Sequence, residues 1–373
     1  MTGLYVHIPF CRRKCRYCSF VSGCDLTLIP RYIDCLIQEI VECNAPSTAL
    51  VDSIFFGGGT PSLLTVDQFD RILAAIKGKF ALTNDCEITT EANPDSLTLP
   101  WLKGVRSLGF NRISIGVQSL DDDCLSSIGR LHDKEQAIRA IQESTKVFDN
   151  VNADYMVGLP SQTPERVGEE IGQLIDLGIK HLSCYSLILE EDTPICRDVA
   201  AGRVRLPDED QTVDLYERAS ETLAAHGLYR YEISNFAYPG YECRHNANCW
   251  RMHPYYGFGA AAHSFVEGLR YYNMDSVREY IAKIEMGEST KRSEGTNTRL
   301  DRINETIMLA LRTTKGLDIA SFNDQFGVDF ITEYADVLAH PTVHRVCCIA
   351  DGYLRINPTY LYVSNQVCLL FLK

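Results

Sequence analysis

Six short apolar runs, at 4–8, 53–56, 87–90, 112–115, 151–156 and 181–187, each end in a polar or glycine-rich turn. Stretches with helical spacing of apolar positions follow them, near 31–43, 66–77, 99–108, 133–148, 165–177 and 209–226. A strand then a helix, repeated every ~30 or more residues, predicts right-handed βαβ units and a parallel sheet, hence an α/β fold. Six units suit an open or partial (β/α) barrel; a doubly wound open sheet satisfies the same pattern. In both, the βα loops line the C-terminal strand edge where ligands bind, and here the polar motifs fall at strand ends.

The last eighty or so residues change character. Ile307, Met308 and Leu311 share a face of a helix expected over 304–315, with Gly316 placed to end it. A second helix is expected over 318–326, and Gly352 between strand-like runs predicts a hairpin. The chain therefore divides into a core (1–235), a connecting segment (236–300) and a small helical and hairpin domain (301–373).

Composition narrows the class. A chain of 373 residues with 45% apolar and 23% charged residues is ordinary for a globular protein. No run approaches the ~18 apolar residues of a membrane span, and the first residues lack the features of a signal peptide, so the expected compartment is the cytoplasm. A net charge of −13 argues against nucleic acid as the main partner, because that affinity rests on Lys and Arg neutralising phosphates. Fifteen cysteines in a large chain without a secretion signal point to metal binding rather than disulfides.

The candidate chemistry begins after the first predicted strand, in His7-Ile8-Pro9-Phe10-Cys11-Arg12-Arg13-Lys14-Cys15-Arg16-Tyr17-Cys18. Three thiolates at this spacing can hold three irons of a cubane and leave the fourth to an outside ligand. The four cations between them favour thiolates and offset an anionic cluster. A zinc site completed by His7 is the competing reading. The other cysteines show no second ligand set and read as core fillers. After the second strand comes Gly57-Gly58-Gly59-Thr60-Pro61-Ser62, a turn whose glycines permit close backbone approach. Glu91, Gln118, Arg130 and Asp154 stand at or beyond the next strand ends, where each also suits a helix cap or a neighbouring partner.

Cys-x3-Cys-x2-Cys with Tyr17 before the last cysteine resembles the radical S-adenosylmethionine (SAM) superfamily. That resemblance implies a partial (β/α)6 radical SAM barrel with a small C-terminal domain. It also implies a 4Fe–4S cluster on Cys11, Cys15 and Cys18, with SAM chelating the open iron and an electron donor feeding the cluster. The motifs together resemble the coproporphyrinogen-dehydrogenase-like branch, and by that match Tyr5, Gly58, Gly59, Thr60, Glu91, Gln118, Arg130 and Asp154 form the SAM pocket. Glu91 would take the ribose hydroxyls and Arg130 the methionine carboxylate, which a guanidinium fork suits.

Within the branch, Tyr229-Arg230-Tyr231-Glu232-Ile233-Ser234-Asn235-Phe236-Ala237 and Cys243-Arg244-His245-Asn246-Ala247-Asn248-Cys249-Trp250 resemble the HemW family of haem chaperones. Cys249 departs from that family's tyrosine. Gly257-Phe258-Gly259-Ala260-Ala261-Ala262-His263-Ser264 and the C-terminal, HemN-like segment continue the likeness. The dehydrogenase proper has a further cysteine two places after the third; here Ser19 and Phe20 follow Cys18. The resemblance thus implies a protein that binds haem and passes it to an acceptor protein. His245 is the candidate haem ligand, followed by Cys243, Cys249 and His263. A porphyrinogen-decarboxylating enzyme and an RNA-modifying enzyme are the two competing functions.

Overall fold

The computed structural model describes residues 1–46, 49–293, 295 and 297–373. Six parallel strands, β1 (Thr2–Ile8), β2 (Leu50–Gly58), β3 (Ala81–Ala92), β4 (Arg112–Gln118), β5 (Asn150–Val157) and β6 (His181–Ser186), lie side by side in chain order. Helices α1 (Ile29–Glu42), α2 (Val66–Lys79), α3 (Leu99–Ser107), α4 (Asp122–Ser127), α5 (Lys134–Thr145), α6 (Pro164–Asp176), α7 (Pro194–Ala200) and α8 (Glu209–Ala225) fill the connections. A doubly wound sheet reverses its strand order at a switch point; this one does not. The strands are therefore wound in one direction, as in a barrel, and the sheet stays open between its two ends.

The two faces of the sheet explain its curvature. Leu4, Val6, Ile54, Phe56, Ile88, Ile113, Ile115, Val151 and Ala153 point outward into one core with helix residues such as Leu36, Ile72, Val105 and Ile171. Register places Tyr5, Phe55 and Thr89 side by side, then Thr89 beside Arg112, then Glu91, Ser114, Asn152 and His181 in a row. That inner face is largely polar and buried, unlike the continuously apolar strands of most parallel sheets. Polar side chains shielded this way must satisfy one another or a ligand.

Residues 236–300, read as a connecting segment, extend the sheet instead. Beside β1 lie β9 (Tyr255–Phe258), β10 (His263–Val266), β11 (Leu269–Asn273) and β12 (Lys291–Ser293); on the β6 side, at and before the start of this segment, lie β8 (Asn235–Ala237) and then β7 (Tyr229–Arg230). Helices α9 (Arg244–Trp250) and α10 (Val277–Glu285) interrupt them, and Tyr280, Ile281 and Ile284 join the first core.

A second core belongs to 303–371. Helix α11 (Arg299–Ala310) packs Ile303 and Ile307 against α12 (Ile319–Phe326) and a three-stranded sheet of β13 (Leu317–Asp318), β14 (Cys347–Ala350) and β15 (Tyr353–Ile356). Gly316 does not end α11, whose C-cap is Leu311. It sits at φ +77° against β15, where a Cβ would lie 2.2 Å from the Leu354 carbonyl oxygen. Among the described residues no helix is long and apolar enough to cross a membrane.

Candidate functional site

The cysteine loop is braced by main-chain bonds at both ends: Cys11 N–H donates to Gly23 C=O at 3.0 Å and Gly23 N–H to Pro9 C=O at 2.9 Å. Cys11, Cys15 and Cys18 are half-buried free thiols on this one loop. Burial pushes the Cys11 and Cys18 thiols up, so iron must displace their protons. The cations that were expected to support thiolates mostly brace the loop. Arg12 pairs with Asp95 at 3.3 Å, Arg13 donates to the Gly129 and Arg130 carbonyls, and Arg16 pairs with Asp198. A zinc site completed by His7 is not built here. His7 Nε2 donates to Val21 C=O at 3.0 Å and Nδ1 accepts from Tyr5 O–H at 2.9 Å, which uses both nitrogens.

The end of β2 comes to rest on this loop. Gly59 N–H donates to Ile8 C=O at 2.9 Å and Thr60 N–H to Phe10 C=O at 2.7 Å. A Cβ on Gly59 would meet the Phe10 carbonyl oxygen at 2.6 Å and its nitrogen at 2.7 Å, so only glycine allows the approach. Gly58, at φ +112°, leaves room for the His7 ring.

From Thr60 a chain of hydrogen bonds joins two of the thiols. Thr60 Oγ1 donates to Cys11 Sγ at 3.6 Å and accepts from Asn93 Nδ2 at 3.0 Å. Asn93 Oδ1 accepts from Arg130 Nη2 at 2.7 Å, and Arg130 Nη1 donates to Cys15 Sγ at 3.4 Å. The Arg130 fork thus holds Cys15, Asn93 and the Gly116 carbonyl, while its Nε is buried with no hydrogen-bond partner. Asn93 was not singled out in the sequence; its place between thiol and guanidinium comes from the fold.

Behind the thiols the barrel interior holds two carboxyls. Burial and the neighbouring Asp154 push Glu91 up to about 8, although it accepts from Gly58 N–H at 3.1 Å. Asp154 is also raised by burial, against hydrogen bonds from Asn152 at 2.7 Å and Ser114 at 3.2 Å. Gln118, at φ +70°, accepts from Tyr185 O–H at 2.8 Å. A left-handed non-glycine residue costs about 1–3 kcal/mol and persists where surroundings impose it, often at functional sites. Thr89 Oγ1 and Arg112 Nε are buried without hydrogen-bond partners deeper in the barrel, toward its floor. Polar atoms without partners, three thiols on one loop and a guanidinium at the mouth fit a cluster and a charged, hydroxyl-bearing ligand.

The raised Glu91 has a measurable consequence. Its folded proton is retained where the unfolded carboxyl, with its ordinary value of 4.5, has lost one. The folded chain therefore binds more protons between these values, and stability is greatest on the acid side and falls as pH rises to about 8. Asp154 adds to the same slope. Urea midpoints measured near pH 5 and near pH 8 should lie closer together in Glu91→Gln than in the unaltered chain. An unchanged gap would mean that Glu91 is already ionised.

The opposite end of the barrel is closed by 231–250. Glu87, on β3, accepts from the main-chain N–H of Arg244 at 2.9 Å and of His245 at 3.0 Å, and Cys243 Sγ is 3.6 Å away. Fully buried Arg112 faces Glu87 and Cys243, whose thiol burial pushes up to about 12. His181 bonds Asn152 Oδ1 at 2.6 Å and the Tyr231 hydroxyl at 2.8 Å. His245, only 6% exposed, stacks on Phe55 at 5.3 Å and lies 3.3 Å from Ser53 Oγ. Burial and Arg112 push its imidazole down to about 4. The candidate haem ligand is therefore an interior residue of the barrel floor, whereas His263 is exposed. Glu87, Arg112 and His181 escaped the sequence reading; the signal was their charge and polarity inside predicted parallel strands.

Comparison with known proteins agrees with this architecture. Residues 5–174 match the Radical SAM superfamily and residues 297–366 the HemN C-terminal domain. The chain is 36% identical over 375 residues to a heme chaperone HemW from Bacillus subtilis, covering 99% of this chain and 97% of the relative. It is 35% identical to a heme chaperone HemW from Lactococcus lactis, covering 89% and 87%. The Escherichia coli heme chaperone HemW is 38% identical, with 71% and 70% covered. The solved structure described as coproporphyrinogen III oxidase (HemN) from Escherichia coli, a radical SAM enzyme, superposes with a TM-score of 0.86 at 23% identity, over 100% of this chain and 90% of the other. That likeness establishes the shared barrel fold, and the match to the Radical SAM superfamily brings a 4Fe–4S cluster and SAM as cofactors. Identity to the Bacillus subtilis and Lactococcus lactis relatives along 99% and 89% of the sequence places the chain more narrowly: it belongs to the heme chaperone HemW family.

Proposed function

We propose that this chain binds haem and passes it to an acceptor protein in the cytoplasm, with a SAM-bound 4Fe–4S cluster supplied with electrons by a partner. The observation that carries this is the 36% identity spanning 99% of the chain to a relative named as a heme chaperone. The exposed Ser19 and Phe20 support it, since the resemblance places a further cysteine of the decarboxylating enzymes there.

Cys11, Cys15 and Cys18 hold three irons of the cluster. Tyr5, Gly58, Gly59, Thr60, Glu91, Gln118, Arg130 and Asp154 surround SAM, with Arg130 meeting its carboxylate and Glu91 its ribose. Because Arg130 also touches Cys15, its replacement affects cluster and SAM together. Haem ligation by His245 would require the ring to leave its stack with Phe55, whereas His263 is at the surface.

Purified chain with its cluster reconstituted should take up hemin stoichiometrically, give a Soret band in difference spectra, and release the haem to an apo-acceptor such as apomyoglobin. With SAM and a reductant it should not convert coproporphyrinogen III to protoporphyrinogen IX. Sustained decarboxylation with release of 5′-deoxyadenosine, or absence of hemin uptake, would overturn the reading.

A further inference from the structure

A deep cleft lies apart from the barrel mouth. About 920 Å³ in volume, it lies under the barrel floor, between α9 with its following loop and the C-terminal domain. Pockets of roughly 300–1,000 Å³ accommodate small-molecule ligands and cofactors, so the space suits a molecule of tetrapyrrole size. Contacts across it are direct. Thr314 N–H and Oγ1 both reach the Tyr231 carbonyl at 3.1 Å, and Thr306 Oγ1 lies 3.2 Å from Met252 Sδ.

We propose that this cleft is the haem-carrying site, with His253 as the iron ligand. The proposal rests on the haem-carrier reading above and moves the ligand from the barrel floor to the cleft. His253 lines the space, half-buried, with its main chain pinned by donation to Asn248 C=O at 3.0 Å. Its Nδ1 is buried without a hydrogen-bond partner, and the nitrogen assigned to the iron is Nε2. Burial and the neighbouring Arg251 lower its proton affinity, and a neutral imidazole is the form that binds iron.

The rest of the lining fits the two other parts of a haem. Half-buried Trp250 offers an apolar ring to a macrocycle, beside Ala247 and Ala310, whereas Phe322 is buried in the C-terminal core and the Tyr353 ring lies against Lys315 and Arg355. Arg251 and Lys315, both exposed at the cleft, offer cations for propionates, and Lys315 lies 5.4 Å over the Tyr353 ring. Met252 stands beside His253 as a second soft donor. By contrast, His245 makes ring contacts on several sides, with Phe55, Tyr5 and Tyr255, and is closed off from solvent.

Hemin titrated onto the full chain, followed by difference absorbance and by EPR of the ferric iron, tests the assignment. His253→Ala should weaken hemin binding at least about tenfold and shift the Soret band. Added imidazole should restore the original spectrum, which a merely structural defect would not allow. Lys315→Glu, at an exposed position, should weaken binding without changing the spectrum. Iron and sulfide content should stay unchanged in both variants, because the thiol loop lies at the other end of the barrel. Unaltered affinity and spectrum in His253→Ala, with hemin still bound by the unaltered chain, would overturn the cleft assignment alone. No uptake by the unaltered chain would overturn the haem-carrier reading with it.

Discussion

Replacing Cys15 by alanine should leave the chain without a cluster, whereas the unaltered protein reconstituted without oxygen should hold about four irons and four sulfides. Two thiolates cannot fix a cubane that already offers one iron to an outside ligand. In this loop Cys15 is also the thiol that Arg130 contacts, so its loss removes a ligand and frees a buried cation. Cys11→Ala and Cys18→Ala should behave alike. Cys24→Ala, exposed, and Cys35→Ala, on the buried face of α1, should keep full iron content and the brown colour. Full iron in Cys15→Ala would end the cluster assignment.

The second large effect is expected at the barrel floor, where nothing reacts. Glu87 accepts from two main-chain N–H groups at the start of α9, and it faces Arg112, which is 2% exposed. Glu87→Ala leaves those donors unpaired and removes a carboxylate that acts on Arg112 through space. Each buried donor left without a partner costs about 1–3 kcal/mol. Equilibrium urea unfolding should show a loss of that size, and protease should cut within 231–250 earlier than in the unaltered chain. Glu87→Gln keeps an acceptor for the N–H groups and should lose less. A change within about 0.5 kcal/mol for Glu87→Ala would show that the floor is not held by this carboxylate.

The candidate site was legible where its chemistry is local. Three thiols on one loop are close because the chain between them is short, and Cys-x3-Cys-x2-Cys carries that information in eight residues. The glycine turn was legible as a turn, but its reason was not: Gly59 is required by the Phe10 main chain, 49 residues earlier. The same holds for Arg130. A guanidinium suits a carboxylate in any context, and only packing shows that its fork already holds Cys15, Asn93 and the Gly116 carbonyl.

By itself the sequence determined the six βα units, because apolar periodicity reports which face of each element is buried. All six expected strands lie within or overlap those observed, from Thr2–Ile8 to His181–Ser186. It also determined the thiol loop and the separate C-terminal core. Tertiary structure decided what 236–300 does. Its strands β9 to β12 are three to five residues long and draw stability from neighbours rather than from their own pattern, so they left no periodic trace. It decided, too, that His245 faces Phe55 inside the floor while His253, eight residues on, faces an open cleft. Exposure depends on what the rest of the chain brings alongside a side chain, and identity at one position does not contain it.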